Sequence, residues 1–138
     1  MLDDRITLDY GSGGQKTSEL IETLLVPSFQ NDALSRLGDG AVLPALPSQP
    51  VFSTDSFVVS PWRFPGGNVG KLAVCGTVND VCMAGGEPLY LSLAMVIEEG
   101  FPLESLREIV QSAAETAREA GVQIVTGDTK VVERGACD

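Results

Sequence analysis

The sequence predicts an α+β domain, with a sheet of about four strands covered by helices on one face. Three observations predict it. The 138 residues are 43% apolar, enough to bury one ordinary core. Helical and strand-like apolar patterns follow one another along the chain. Glycine and proline clusters punctuate them.

The elements follow in order. Residues Asp9 to Thr17 read Asp-Tyr-Gly-Ser-Gly-Gly-Gln-Lys-Thr, a glycine-rich loop leading into a short helix with Leu20, Ile21, Leu24 and Leu25 apolar; Pro27 is expected to end it. Gly38-Asp39-Gly40 opens an apolar run from Ala41 to Leu46. Pro47 to Pro50 turn the chain into a strand from Val51 to Val59, so a hairpin is expected. Pro61 to Gly70 is a loop. Lys71 to Ala84 has apolar residues on more than one side and is expected to be a well-buried helix, stopped by Gly85-Gly86. Pro88 to Ile97 is a strand closed by Glu98-Glu99-Gly100. Pro102 to Ala120 is the clearest helix, with Leu103, Leu106, Val110, Ala113, Ala114 and Ala117 at three- and four-residue steps and Gly121 as its stop. Val122 to Thr126 is a strand that runs through Gly127-Asp128-Thr129-Lys130 to Val132. A sheet with one open face needs a cover, from a partner subunit or a second domain, because Leu89 to Ile97 is apolar on both sides.

Composition narrows the function. No run of about 18 apolar residues, signal peptide or lipidation motif is visible, so a cytoplasmic protein without a membrane partner is expected. A formal charge of −10 disfavours nucleic acid as a partner. Three cysteines without a secretion signal favour reduced thiols; Cys75 and Cys82, two helical turns apart, are expected to be buried on one helix face. The chain has no histidine and no Cys-x-x-Cys, which excludes the usual zinc sites and Ser-His or Cys-His catalysis within it.

Phosphate chemistry survives these exclusions. Gly11, Ser12, Gly13 and Gly14 precede Lys16 and Thr17, but Gln15 stands where a Walker A loop needs glycine, and Lys16 where a Rossmann loop needs one. Pro65-Gly-Gly-Asn-Val-Gly-Lys71 is a similar near miss. Such a loop is more often a plain turn than a set of amides converging on phosphate, and both readings apply here. Asp39, Asp55, Asp80 and Asp128 stand beside small polar residues, in the contexts Gly-Asp-Gly, Thr54-Asp-Ser, Asn79-Asp and Gly-Asp-Thr-Lys130. Dispersed carboxylates suit a magnesium ion shared with nucleotide phosphates and water. They are also ordinary turn, cap or strand-end residues. Asp80, inside an apolar helix, needs a metal, a base or an exposed helix face. Lys130 is a phosphate donor or a solvated surface lysine.

Three strings settle a resemblance: Phe-Ser-Thr-Asp-Ser-Phe-Val-Val (52 to 59), Phe-Pro-Gly-Gly-Asn-Val-Gly-Lys-Leu-Ala-Val-Cys-Gly-Thr-Val-Asn-Asp (64 to 80) and Ile-Val-Thr-Gly-Asp-Thr-Lys-Val-Val (124 to 132) resemble the HypE family. The likeness runs from Gly11 to Gly135. It implies membership of the superfamily of aminoimidazole ribonucleotide synthetase (PurM-like), selenophosphate synthetase and thiamine-monophosphate kinase, whose amino-terminal domains pair through their sheets into a barrel-like homodimer. It further implies ATP and Mg2+ as cofactors, with Asp55, Asp80 and Asp128 as metal ligands and Asp39 as a further candidate. Gly11 to Gly14 would form a lid over the phosphates, and Thr54, Asn79 and Lys130 would assist in binding nucleotide. The implied activity is ATP-dependent dehydration of an S-carbamoyl group on a C-terminal cysteine to thiocyanate. HypF would be the carbamoyl donor, and a HypC and HypD complex would accept the cyanide for the iron of [NiFe]-hydrogenase.

The chain departs from the family pattern at Tyr10, where many relatives carry His. It also ends at Ala-Cys-Asp, without the second domain or the Pro-Arg-Ile-Cys tail, so residues 1–138 are expected to be one amino-terminal domain in which Cys137 is not the acceptor. Two other readings stand beside this one: a kinase or synthetase of the same superfamily acting on a small metabolite, and a non-catalytic dimerisation or docking module.

Overall fold

The computed structural model describes residues 2–38, 40–46 and 49–136. Its centre is a strand–helix–strand unit: β3 (Tyr90–Glu98), α4 (Leu103–Glu119) and β4 (Gln123–Val132), preceded by α3 (Val69–Met83). Upstream, β1 (Arg63–Phe64) and β2 (Gly67–Asn68) form a two-residue antiparallel hairpin in the segment expected to be loop. At the amino end α1 (Gln15–Leu20), a π-helical turn (Ile21–Leu25) and α2 (Val26–Phe29) run on from one another. Pro27 therefore does not end the helix. It sits in the first turn after the π segment, where its missing N–H is not required.

The helices form where the apolar stripes predict. Val110 and Ala113 of α4 are buried, with Leu106, Ala114 and Ala117 beside them, and Glu104 lies in its first turn, where the helix dipole favours a negative charge. The Asn68 side chain caps α3, accepting the N–H groups of Gly70 and Lys71 at 2.9 and 3.1 Å. The helices α3 and α4 cross closely enough that a Cβ on Gly70 would strike the Ile109 carbonyl. Two apolar clusters result. One joins Ile6, Tyr10, Leu20 and Leu24 to Ile97, Leu103, Leu106 and Val110; the other joins Val74 to Ala113, Ala117, Val122 and Ile124.

The α+β class holds, but no four-stranded sheet is seen among the described residues. Among the described residues there are two sheets of two strands, β1–β2 and the parallel pair β3–β4. Residues 41–46 and 51–59, expected as a hairpin, are not strands. Pro44 and Pro50 offer no N–H to a ladder, and the segment rests instead on α3, with the Phe57 ring against Gly76 and Val51 beside Gly86. Its apolar residues stay in solvent, Phe52 at 91% and Val58 at 85% exposure.

The helix α3 is likewise less buried than its composition predicts. Only Gly70 and Val74 are buried, because α4 covers one side alone, and Cys75 and Cys82 are exposed rather than interior. No helix among the described residues is long and apolar enough to cross a membrane.

Candidate functional site

A register irregularity in β4 decides which side chains the site receives. Leu91 pairs with Ile124, but the next residue, Ser92, pairs with Thr126, so Val125 is an extra residue. Ile124 and Val125 are both buried in succession. Beyond this bulge the side-chain parity is reversed: Gly127, Thr129 and Val131 pair with the core-facing Leu93, Met95 and Ile97. Asp128 and Lys130 pair with Ala94 and Val96 and emerge on the open face.

There the Lys130 ammonium donates to Asp128 Oδ1 at 3.0 Å, and the backbone N–H of Thr129 donates to the same oxygen at 2.9 Å. The Lys130 hydrogen bond is the main cause that holds the Asp128 carboxyl below its ordinary pKa. Asp128 is therefore a charged acceptor, paired with a cation that a ligand phosphate would draw equally well.

The glycine-rich loop docks against the edge of the same strand. Gly11 ends a 3-10 turn (Leu8–Gly11) and lies against the Val131 backbone, so closely that no Cβ fits. Gly13 takes a left-handed φ of +78°, and its N–H donates to Thr17 Oγ1 at 3.1 Å. Ser12 and Thr17 both donate to the Asp9 carbonyl, at 2.9 and 3.2 Å. The loop is thus folded back on its own helix start.

Loop and strand line one groove of about 370 Å³, in which Gly11, Gly13, Thr17, Asp128 and Lys130 share the lining with the apolar Leu25, Phe29, Leu34 and Leu37. Gly38 and Gly40 reach it as well; Asp39 between them lies outside the described residues, as does Cys137. Ser12 and Gly14, the other two members of the loop, are exposed and are not part of the groove lining. The groove therefore gathers two members of the glycine loop with Asp128 and Lys130, four of the residues singled out from the sequence.

The others stand apart. Thr54 and Asp55 are exposed on the 51–59 segment, where Asp55 accepts the N–H of Ser56 at 2.7 Å. Asn79 and Asp80 are exposed on α3, so Asp80 takes the open helix face rather than a buried position. Among the described residues no three acidic or cysteine side chains gather into a ready metal cage. Thr17 and the apolar wall were not foreseen. A hydroxyl four residues after Gly13, one helical turn away, was the available signal for the first, while the wall is assembled from helices that the sequence does not place together.

Residues 37–138 match the family of the AIR synthase related protein, N-terminal domain. The chain belongs to the AIR synthase related family. It is 51% identical over 98% of its length to carbamoyl dehydratase HypE of Escherichia coli strain K12, and 52% identical over 97% to that of Cupriavidus necator. It spans 42% and 38% of those two proteins. Among solved structures, a hydrogenase maturation protein HypE in complex with ATP matches 96% of this chain, with 53% identity, a TM-score of 0.92 and 39% of that chain covered. A HypE–HypF complex matches 86% of it, with a TM-score of 0.61, 52% identity and 38% of that chain covered.

Proposed function

We propose that this member of the AIR synthase related family is the nucleotide-binding amino-terminal part of an ATP-dependent carbamoyl dehydratase in [NiFe]-hydrogenase maturation. One observation carries the reading: 53% identity and a TM-score of 0.92, over 96% of the chain, to a HypE crystallised with ATP. The groove supports it, because backbone amides of a glycine-rich loop, a lysine and a carboxylate line one cleft beside an apolar wall.

In this reading the amides of Gly11 to Gly14 and the Lys130 ammonium receive phosphate oxygens, while Thr54 and Asn79 approach the nucleotide from the 51–59 segment and α3. Asp55, Asp80 and Asp128 would hold magnesium, with Asp39 as a further candidate. Carboxylate oxygens suit this hard cation, which takes its other ligands from water and phosphate, so the dispersed aspartates need not form a closed cage by themselves. Bound there, magnesium supplies charge neutralisation at the phosphates.

ATP would phosphorylate the amide oxygen of a carbamoyl group on a C-terminal cysteine, and loss of phosphate would leave the thiocyanate. HypF is the proposed carbamoyl donor, supported by the likeness to the HypE–HypF complex. HypC and HypD are the proposed cyanide acceptors. A homodimer joined through the sheets, in the cytoplasm, completes the reading.

Calorimetric titration with Mg-ATP, repeated with EDTA, tests it. Magnesium-dependent binding is the expected result. Absence of heat in both titrations would refute nucleotide binding by this chain and favour a docking module.

A further inference from the structure

The glycine-rich loop is secured on two sides. Toward β4, Gly11 abuts Val131. Toward the chain's amino end the tie is made by Asp3, Tyr10 and Lys16. Tyr10, only 1% exposed, accepts the backbone N–H of Asp3 at its hydroxyl, at 2.9 Å. The Lys16 ammonium stands 5.4 Å above the Tyr10 ring centre and 2.6 Å from Asp3 Oδ2, with Asp9 Oδ2 at 4.0 Å. Asp3 thus holds Tyr10 by its backbone and Lys16 by its side chain, and Lys16 covers Tyr10. Because Tyr10 and Lys16 flank residues 11–14, this ring of contacts fixes both ends of the loop. Lys16 is absent from the groove lining, and its charge is directed at Asp3 rather than into the cleft.

We infer that Asp3, Tyr10 and Lys16 form a latch that holds the loop from Gly11 to Gly14 in place, with Gly11 and Gly13 lining the groove, which makes Asp3 and Lys16 positioning residues for the nucleotide; the second half of this statement rests on the nucleotide-binding reading above. Tyr10 supplies what this latch needs: a buried ring for the ammonium and a hydroxyl for the Asp3 amide. The depressed pKa of Asp3 and the raised pKa of Lys16 agree with a formed pair.

Hydrogen exchange of the backbone amides at residues 11–14, measured without nucleotide, tests the latch directly. Mg-ATP calorimetry on the same variants tests its consequence. Asp3→Asn and Lys16→Met are each expected to speed exchange of the loop and to weaken Mg-ATP binding about two- to fivefold, as the loop's competent conformation becomes less populated. Lys16→Arg retains both properties, since it keeps a cation for the Asp3 carboxylate and the Tyr10 ring. A lysine that met phosphate directly would give a different pattern: Asp3→Asn would leave affinity intact, which overturns the latch. Unchanged loop exchange in Asp3→Asn overturns it too. If the unmodified chain binds no Mg-ATP, the nucleotide reading fails by itself, and loop exchange still decides whether the latch exists.

Discussion

At the residue scale, Asp3 and Asp128 are each paired with a nearby lysine. Asp3 and Asp128 are both shifted below the ordinary 3.8, by hydrogen bonds from Lys16 and Lys130 respectively. A carboxyl depressed in the folded state stabilises the fold above its unfolded pKa, and that contribution disappears as pH falls through the folded value. Thermal melts should therefore be level from neutral pH down to about 4 and decline below it, with a shallower acid decline in Asp3→Asn; the effect is small because both pairs are solvent-exposed. The same carboxylates separate the site hypotheses. Asp128→Asn is expected to weaken Mg-ATP binding by about tenfold or more, comparable to a lost charged hydrogen bond. Asp80→Asn should also weaken it while the melting curve stays normal, since its side chain is exposed on α3. Unchanged affinity in that variant would remove Asp80 from the ligand set.

At the element scale, packing of backbone on backbone makes the sharpest demand. Gly70 lets α3 approach α4 until its Cα faces the Ile109 carbonyl. Gly70→Ala should lower stability by about 1–3 kcal/mol, a loss of several degrees in melting temperature, unless the helices separate. A melting point within a degree of the parent would show that the crossing yields easily. Elements with strong periodicity were legible: Pro102 to Ala120 was expected as helix and α4 spans Leu103–Glu119, while β3 and β4 fall close to their expected bounds. What failed was pairing. The Ala41 to Leu46 and Val51 to Val59 runs have strand-like composition, but a strand exists only where another backbone accepts its hydrogen bonds, and composition does not name that partner. The same limit applied to the site. Asp128, Lys130 and the glycine loop could be singled out locally, yet the bulge at Val125 that turns Asp128 outward, and the joining of residues 3, 10 and 16, depend on tertiary contacts with no periodic trace in the sequence.

At the scale of the whole molecule, apolar surface and charge oppose each other. Ser92, Ala94 and Val96 lie open on the outer side of β3, with Val96 at 60% exposure, and Phe52 and Val58 are open as well. Such surface is costly in water and favours a cover, whereas a chain of net charge −10 repels its own copies. Repulsion between surface charges weakens with salt, since the screening length falls to about 10 Å at 0.1 M, while burial of apolar area does not weaken. If copies of the chain pair through their sheets, the dimer fraction should therefore rise with ionic strength. Light scattering after size exclusion would then give a mass approaching twice that of one chain in moderate salt. Val96→Lys, which places a cation in the centre of the proposed contact, should return the mass to that of one chain with little change in melting of the monomer, because Val96 touches solvent there already. A parent chain that remains monomeric at all salt concentrations, or a Val96→Lys variant that still pairs, would exclude this sheet face as the dimer contact.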